Sequence, residues 1–165
     1  MPGPSPTLRQ ADEGDLALLA QLLKETFAFY GEPPPCAHDE LVRRLGKRLN
    51  REPGFEALIA EVAGEVLGYA IYAPVFWTSD CEMSLFLKEI YLRPRARGKG
   101  LGRSIMQRLA QIAVERQWTK LVWTVDHPNR AARRFYRGLP GARELDKLVF
   151  LQAGDAMQLF AGGRA

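Results

Sequence analysis

Between Ile90 and Ser104 the chain reads Ile-Tyr-Leu-Arg-Pro-Arg-Ala-Arg-Gly-Lys-Gly-Leu-Gly-Arg-Ser, an apolar run that turns through a basic, glycine-rich corner into an amphipathic stretch. Glycines at the alternate positions 98, 100 and 102 let the backbone take positive φ and come close to a ligand, so that successive N–H groups point into one concavity. A helix starting at the corner adds the positive end of its dipole. No carboxylate occurs from Ile90 to Val114, while Arg93, Arg95, Arg97, Lys99, Arg103 and Arg108 all fall in that window. The chemistry on offer is the binding of an anion, with a di- or triphosphate the natural guess. A Walker A loop needs Gly, four residues, then Gly-Lys-Ser/Thr, but Lys99 is followed by Gly100 and Leu101. A dinucleotide fingerprint needs a third glycine where this chain has Arg103 or Ile105. What remains is Arg-x-x-Gly-x-Gly over residues 97–102.

That hexapeptide resembles the pyrophosphate-binding signature of the GNAT superfamily of N-acetyltransferases. A later stretch, Asn129-Arg130-Ala131-Ala132-Arg133-Arg134-Phe135-Tyr136, reads Asn-x-x-Ala-x-x-Phe-Tyr and is similar to the segment after the fifth strand in the same family. Leu87-Lys88-Glu89-Ile90-Tyr91-Leu92 and Val149 to Ala156 look like the diamine branch of that family, the spermidine/spermine and thialysine acetyltransferases. The resemblance covers most of the chain from Gly68 onward and includes Phe29 to Pro35. It departs in two places: Lys88-Glu89 stands where those relatives carry adjacent acids, and the segment Arg143 to Lys147 is shorter and less acidic than theirs.

The resemblance implies an enzyme that moves an acetyl group from acetyl-CoA directly to a primary amine. The pyrophosphate would sit on the N–H groups of Gly98, Lys99, Gly100, Leu101 and Gly102, with Arg97 and Arg103 beside it. The pantetheine arm would run along the strand ending at Leu92, where a backbone N–H of Tyr91 or Leu92 polarises the thioester carbonyl. Asn129 and Arg133 would lie near the coenzyme. Tyr136 would act as the general acid toward the departing thiolate, a role a phenol at hydrogen-bond reach can fill. The fold implied is a mixed α/β (α+β) one: a central, mostly antiparallel twisted sheet with a parallel pair splayed at the acetyl-CoA site and helices on both faces. Members of this branch are commonly homodimers, so a homodimer is expected as well.

The amine must lose a proton before it attacks, since free alkylamines are mostly protonated at pH 7. Glu89 is the first candidate to accept it, with Asp80 and Glu82 behind. Trp77 and Tyr30 complete an expected substrate lip. The two departures weaken a polycation as substrate and leave a small primary amine, whether of a polyamine, a diamine or an amino-acid side chain. Peptide or protein amines are the alternative. Two other classes compete: a nucleic-acid-binding module built on the basic corner, which would need a wider basic face, and a catalytically idle acyl-CoA sensor that keeps the corner without needing Tyr136.

The elements that must position these residues follow from periodicity. The corner lies between a strand from Ser84 to Leu92 and a helix from Gly102 to Gln117, whose Ile105, Leu109, Ile112 and Ala113 share one face. Lys120 to Val125 reads as a buried strand parallel to the first, so strand, crossover helix and strand form a right-handed unit with the corner at its carboxyl edge. Upstream, Thr7–Gln10 reads as a strand, and Asp12 or Asp15 can cap a helix through Leu16, Leu19, Leu22, Leu23 and Phe27. Gly31 and three prolines stop that helix, and a second one is expected over His38–Leu49. A hairpin is expected over Phe55–Val62 and Val66–Val75, followed by an exposed loop over Pro74–Glu82. Downstream, Asn129 can cap a helix through Arg137, with a late strand over Leu148–Gln152 and a short helix from Asp155 to Phe160.

A length of 165 residues with 47% hydrophobic content suits one domain, residues 1–165, with its own core. No apolar run approaches a membrane span and the first residues lack signal-peptide features, so a soluble cytoplasmic protein without membrane or nucleic-acid partners is expected. Two distant cysteines and two histidines argue against a disulfide framework and a bound metal. The net charge of +4 is gathered around the corner, which needs a local anionic ligand more than a polyanion.

Overall fold

The computed structural model of this chain describes residues 5–162, so the start of the lead-in and the end of the chain beyond Gly162 lie outside the described residues. The molecule divides into two compact units whose boundary in the chain falls between Val125 and Asp126.

The first unit is built on five strands: β1 (Thr7–Gln10), β2 (Glu56–Val62), β3 (Glu65–Trp77), β4 (Glu82–Leu92) and β5 (Leu121–Trp123). They lie side by side in chain order. The pairs β1–β2, β2–β3 and β3–β4 are antiparallel, while β4–β5 is parallel, which is the mixed sheet expected. Helices α1 (Leu16–Tyr30), α2 (His38–Gly46) and α3 (Leu101–Glu115) complete the unit.

Both aspartates before α1 are used. The Asp12 carboxylate accepts from the Gly14 N–H at 2.8 Å and the Asp15 carboxylate from the Asp12 N–H at 2.9 Å, which organises the 3-10 turn Glu13–Asp15 ahead of the helix. Asp15 also receives Arg9 through two bonds of 2.7 Å, and these hold its carboxyl below the usual aspartate range. Gly31, at φ 73°, ends α1 in the left-handed conformation a C-terminal cap requires.

Strand alternation sorts the core onto two faces. Ala57, Ile59, Tyr69 and Tyr91 pack with Leu19, Ala20 and Leu22 of α1 and Leu41 and Leu45 of α2. The intervening Leu58, Ala60, Ala70, Tyr72 and Leu85 are buried on the other side, as are Ile105, Met106, Leu109 and Ile112 of α3. At the far end of α3, Arg116 donates to both oxygens of Glu56, which also accepts from the Tyr72 hydroxyl at 3.2 Å. Burial pushes the Tyr72 phenol up to about 12.

Several expected boundaries are corrected. The second helix stops at Gly46 rather than Leu49, because buried Leu49 bridges to Phe55 and the Asn50 amide reaches back to the Ala11 carbonyl at 2.9 Å. The loop expected over residues 74–82 is mostly strand: Phe76 pairs with Met83 and Trp77 with Glu82, leaving only residues 78–81 as the turn. The late strand over residues 148–152 is irregular backbone, and Leu148, Val149, Phe150 and Leu151 are each 80–89% exposed. Strand-forming side chains are not enough without a neighbouring ladder, and no described strand pairs with this segment.

The second unit carries α4 (Arg130–Arg137) and α5 (Gly154–Ala161), close to the two helices expected there. The Asn129 side chain caps α4, its Oδ1 accepting from the Ala132 N–H at 3.1 Å.

Candidate active site

The decisive local feature is an irregularity in β4. The register runs Gly68↔Leu92, Tyr69↔Tyr91, Ala70↔Ile90 and Ile71↔Glu89, then jumps to Tyr72↔Leu87, so Lys88 is an extra residue bulged out of the ladder. The bulge changes the parity of the strand. Leu87 pairs with Tyr72 on the α3 face, whereas Glu89 and Tyr91 pair with Ile71 and Tyr69 on the α1 face.

The same bulge ends the parallel pairing. Strand β5 pairs with β4 only at Leu85↔Leu121, Phe86↔Val122 and Leu87↔Trp123, and the strand expected to run on to Val125 stops there, level with the last residue before the bulge. The Arg93 N–H donates to the Leu67 carbonyl at 2.9 Å, so by antiparallel alternation Tyr91 also bonds toward β3, while Ile90 and Leu92 direct their N–H groups to the side β5 has left. Of the two backbone donors considered from sequence, Leu92 is the one aimed into the gap.

Beyond Leu92 the chain makes a 3-10 turn, Pro94–Ala96, with Ala96 buried beneath it. Gly98 and Gly100 then take φ of 72° and 84°, conformations that side chains other than glycine's rarely adopt, and Gly100 is the residue just before α3. No side chain caps α3, so its first-turn N–H groups face outward at the positive end of the dipole. Gly102 and Leu101 form that first turn. Backbone donors arranged in this way form a concavity of the kind that can cradle an anion.

The basic residues divide in a way the sequence does not show. Arg93 is paired with Glu25 of α1, Arg95 with Glu65 of β3 and Arg108 with Glu115. The first two charges are matched by carboxylates brought in by the fold and the third by one two turns further along α3. Arg97 folds back under the corner: its Nε donates to the Leu92 carbonyl at 2.9 Å and its guanidinium lies 4.2 Å over the Phe29 ring and 5.8 Å over Tyr91. Lys99 and Arg103 are exposed at the mouth of the cradle.

Of the residues expected to serve the amine, only Glu89 and Tyr30 lie near the aromatic rings of the α1 face. The Thr26 hydroxyl donates to the Leu22 carbonyl at 2.9 Å, so the Tyr69 hydroxyl, 2.9 Å away, is the donor in their shared bond. Burial pushes the Tyr69 phenol up, and the negative charge of nearby Glu89 adds to this, which keeps it protonated. Tyr91 lies 6.2 Å from both Tyr69 and Phe29, and Phe29 stacks edge-on with Tyr30 at 5.2 Å. Half-buried Glu89 thus shares a face with Tyr69 and Tyr91. Trp77, Asp80 and Glu82 lie elsewhere, at the tip of the β3–β4 hairpin. There Asp80 is bound by Lys120 and by the Thr119 hydroxyl, which hold its carboxyl below the usual range. Tyr69, Glu25 and Phe29 were not singled out from sequence as site residues; only the bulge parity and partners more than 60 residues apart reveal them.

In the second unit, Arg133 donates to the His127 carbonyl at 3.1 Å and to Glu144 at 3.0 Å, and Arg137 joins the same carboxylate. These bonds tie α4 to the segments on either side of it. Tyr136 is half-buried on α4 with its ring 5.1 Å from that of Phe135. Among the described residues no group of three or more His, Cys, Asp or Glu could hold a metal, and no helix is long and apolar enough to cross a membrane.

The profile of the acetyltransferase (GNAT) family matches residues 18–139. A thialysine N-epsilon-acetyltransferase of Sus scrofa is 28% identical over 170 residues, covering 94% of this chain and 96% of its own. Among solved structures, an integron cassette protein of V. cholerae superposes with a TM-score of 0.83 at 24% identity, over 96% of this chain and 99% of its own. A predicted acetyltransferase of Clostridium acetobutylicum, solved with acetyl-CoA, superposes with a TM-score of 0.70 at 23% identity over 90% and 96% of the two chains.

Proposed function

This chain belongs to the GNAT acetyltransferase family and is an acetyl-CoA-dependent N-acetyltransferase; on that premise we propose that its acceptor is the primary amine of a small molecule, a polyamine, a diamine or an amino-acid side chain. The observation that carries the site assignment is the parting of β5 from β4 at the Lys88 bulge, which leaves a strand edge leading straight into the cradle of left-handed glycines. Both compact units serve one catalytic domain, a reading supported by the family match, which runs across the boundary at Val125.

Acetyl-CoA, when bound, supplies an acetyl group on a thioester sulfur. The cradle residues Gly98, Lys99, Gly100, Leu101 and Gly102 hold its pyrophosphate through backbone N–H groups, with Lys99 and Arg103 adding charge and Arg97 bracing the turn from below. The Leu92 N–H points where it can polarise a carbonyl laid along β4. Glu89, half-buried on the α1 face of β4, accepts the ammonium proton directly or through water. Asp80, already committed to Lys120, is the weaker candidate for that role. Tyr136 donates a proton to the departing sulfur, and Asn129 and Arg133 shape the α4 segment that carries it. The name of the Sus scrofa relative supports an amino-acid side-chain amine within the proposed class.

The test is to incubate the protein with acetyl-CoA and a panel of amines, spermidine, 1,3-diaminopropane, lysine, thialysine and a lysine-containing peptide, while following thiol release. Release with the small amines and not the peptide is expected. Turnover confined to the peptide would overturn the substrate class.

A further inference from the structure

Glycines that permit the cradle's shape do nothing to hold it. A ring of N–H donors binds an anion tightly only if it is already in place. The rigidity must come from outside the corner, and the structure shows its source. Arg93, the first residue after β4, donates through Nε and Nη2 to the Glu25 carboxylate at 2.9 and 2.8 Å and through Nη1 to the Val66 carbonyl at 2.9 Å. Only 23% and 25% of the two side chains is exposed, so the pair is shielded enough to hold its geometry. Four residues later Arg97 grips the Leu92 carbonyl and stacks 4.2 Å over Phe29. Glu25 and Phe29 are themselves one helical turn apart, on one side of α1. Two arginines at either end of the 3-10 turn Pro94–Ala96 therefore meet two side chains stacked along α1, like two rungs between helix and corner.

We infer that Glu25 and Phe29 are positioning residues for coenzyme binding, acting through Arg93 and Arg97 to hold the corner in its anion-binding shape. The inference rests on the reading of the corner as the pyrophosphate site. Glu56 provides a matched comparison, since it forms the same bidentate carboxylate–arginine pair with Arg116 but lies on β2 at the end away from the corner, in register with Tyr72 and Leu87 rather than with Leu92.

The experiment is calorimetric titration of coenzyme A into the full chain and its variants, with thermal unfolding measured in parallel. Glu25→Gln should raise Kd about tenfold, the size of a lost bidentate charge-assisted pair. Phe29→Leu should raise it less, and the double variant should be non-additive because both act on one turn. With any amine that supports turnover, the KM for acetyl-CoA should rise while kcat at saturation stays within about twofold. Glu56→Gln should lower the melting temperature by a similar amount and leave Kd unchanged. An unchanged Kd in Glu25→Gln, or an equal rise in Glu56→Gln, would overturn the inference. Should Glu25→Gln fail to fold, Phe29→Leu carries the test through its smaller rise in Kd, and an unchanged Kd there would overturn the inference. Gly100→Asp separates the two readings: it should abolish binding, and normal affinity there would sink the corner assignment itself. Lost binding in Gly100→Asp beside wild-type affinity in Glu25→Gln would remove only the positioning role.

Discussion

Adding one methyl group at Gly68 should destabilise the protein by about 2–3 kcal/mol. Gly68 lies on β3 opposite Leu92, and a Cβ there would stand 2.4 Å from the Tyr91 carbonyl oxygen and 2.6 Å from Leu92 Cδ2. The Leu92 methyl can rotate away. The carbonyl cannot, because it belongs to the β3–β4 ladder, and it sits about 1 Å inside ordinary van der Waals contact. The strands must therefore part where β4 runs into the corner. Overpacking of this kind costs about 1–3 kcal/mol, a weakened ladder bond adds about 1 kcal/mol, and the lower backbone entropy of alanine offsets about 0.5 kcal/mol. Urea unfolding of Gly68→Ala, followed by tryptophan fluorescence and compared with the wild type at a common slope, measures the difference. Affinity for coenzyme A should fall as well, since the displaced segment leads directly into Arg93. A stability change below about 0.5 kcal/mol together with wild-type coenzyme affinity would refute the close approach of the two backbones and the constraint it places on the corner.

Tyr136→Phe should lower kcat about a hundredfold while leaving coenzyme affinity intact; an unchanged rate would take Tyr136 out of the chemistry. Glu89→Gln should depress kcat/KM at neutral pH and recover in part as rising pH deprotonates the amine without help, so a pH–rate profile parallel to the wild type would remove Glu89 as the base. Asp15→Asn should cost about 2 kcal/mol at pH 7 by breaking the Arg9 clamp. The Asp15 carboxyl is held below its ordinary value, chiefly by the Arg9 hydrogen bonds, so its contribution is fully present above about pH 4 and is lost as pH falls through the folded value. The gap between Asp15→Asn and wild type in urea midpoints should accordingly narrow as pH falls below about 4, and a gap that does not narrow at all there would show that packing, not the ion pair, is lost.

What could be read from the chain alone was local. Helical spacing located α1 and α3 because each face repeats within one segment, the Asn129 cap located α4, and the glycine corner announced its conformation because few residues besides glycine tolerate it. The resemblance in residues 97–102 and 129–136 led to the family for the same reason: each motif is contiguous. What the chain alone could not decide were pairings. Lys88 is one residue among many until β3 is laid against β4, and only that register moves Glu89 and Tyr91 to the α1 face. The basic window from Ile90 to Val114 reads as uniformly positive, yet Glu25 and Glu65 neutralise Arg93 and Arg95 from elements distant in sequence. Conversely, the apolar run at residues 148–151 has the propensity of a strand but no ladder to join. Propensity belongs to a segment, whereas register, ion pairing and strand partnership belong to the fold, and it was these that turned a basic corner into a braced cradle beside an opened strand edge.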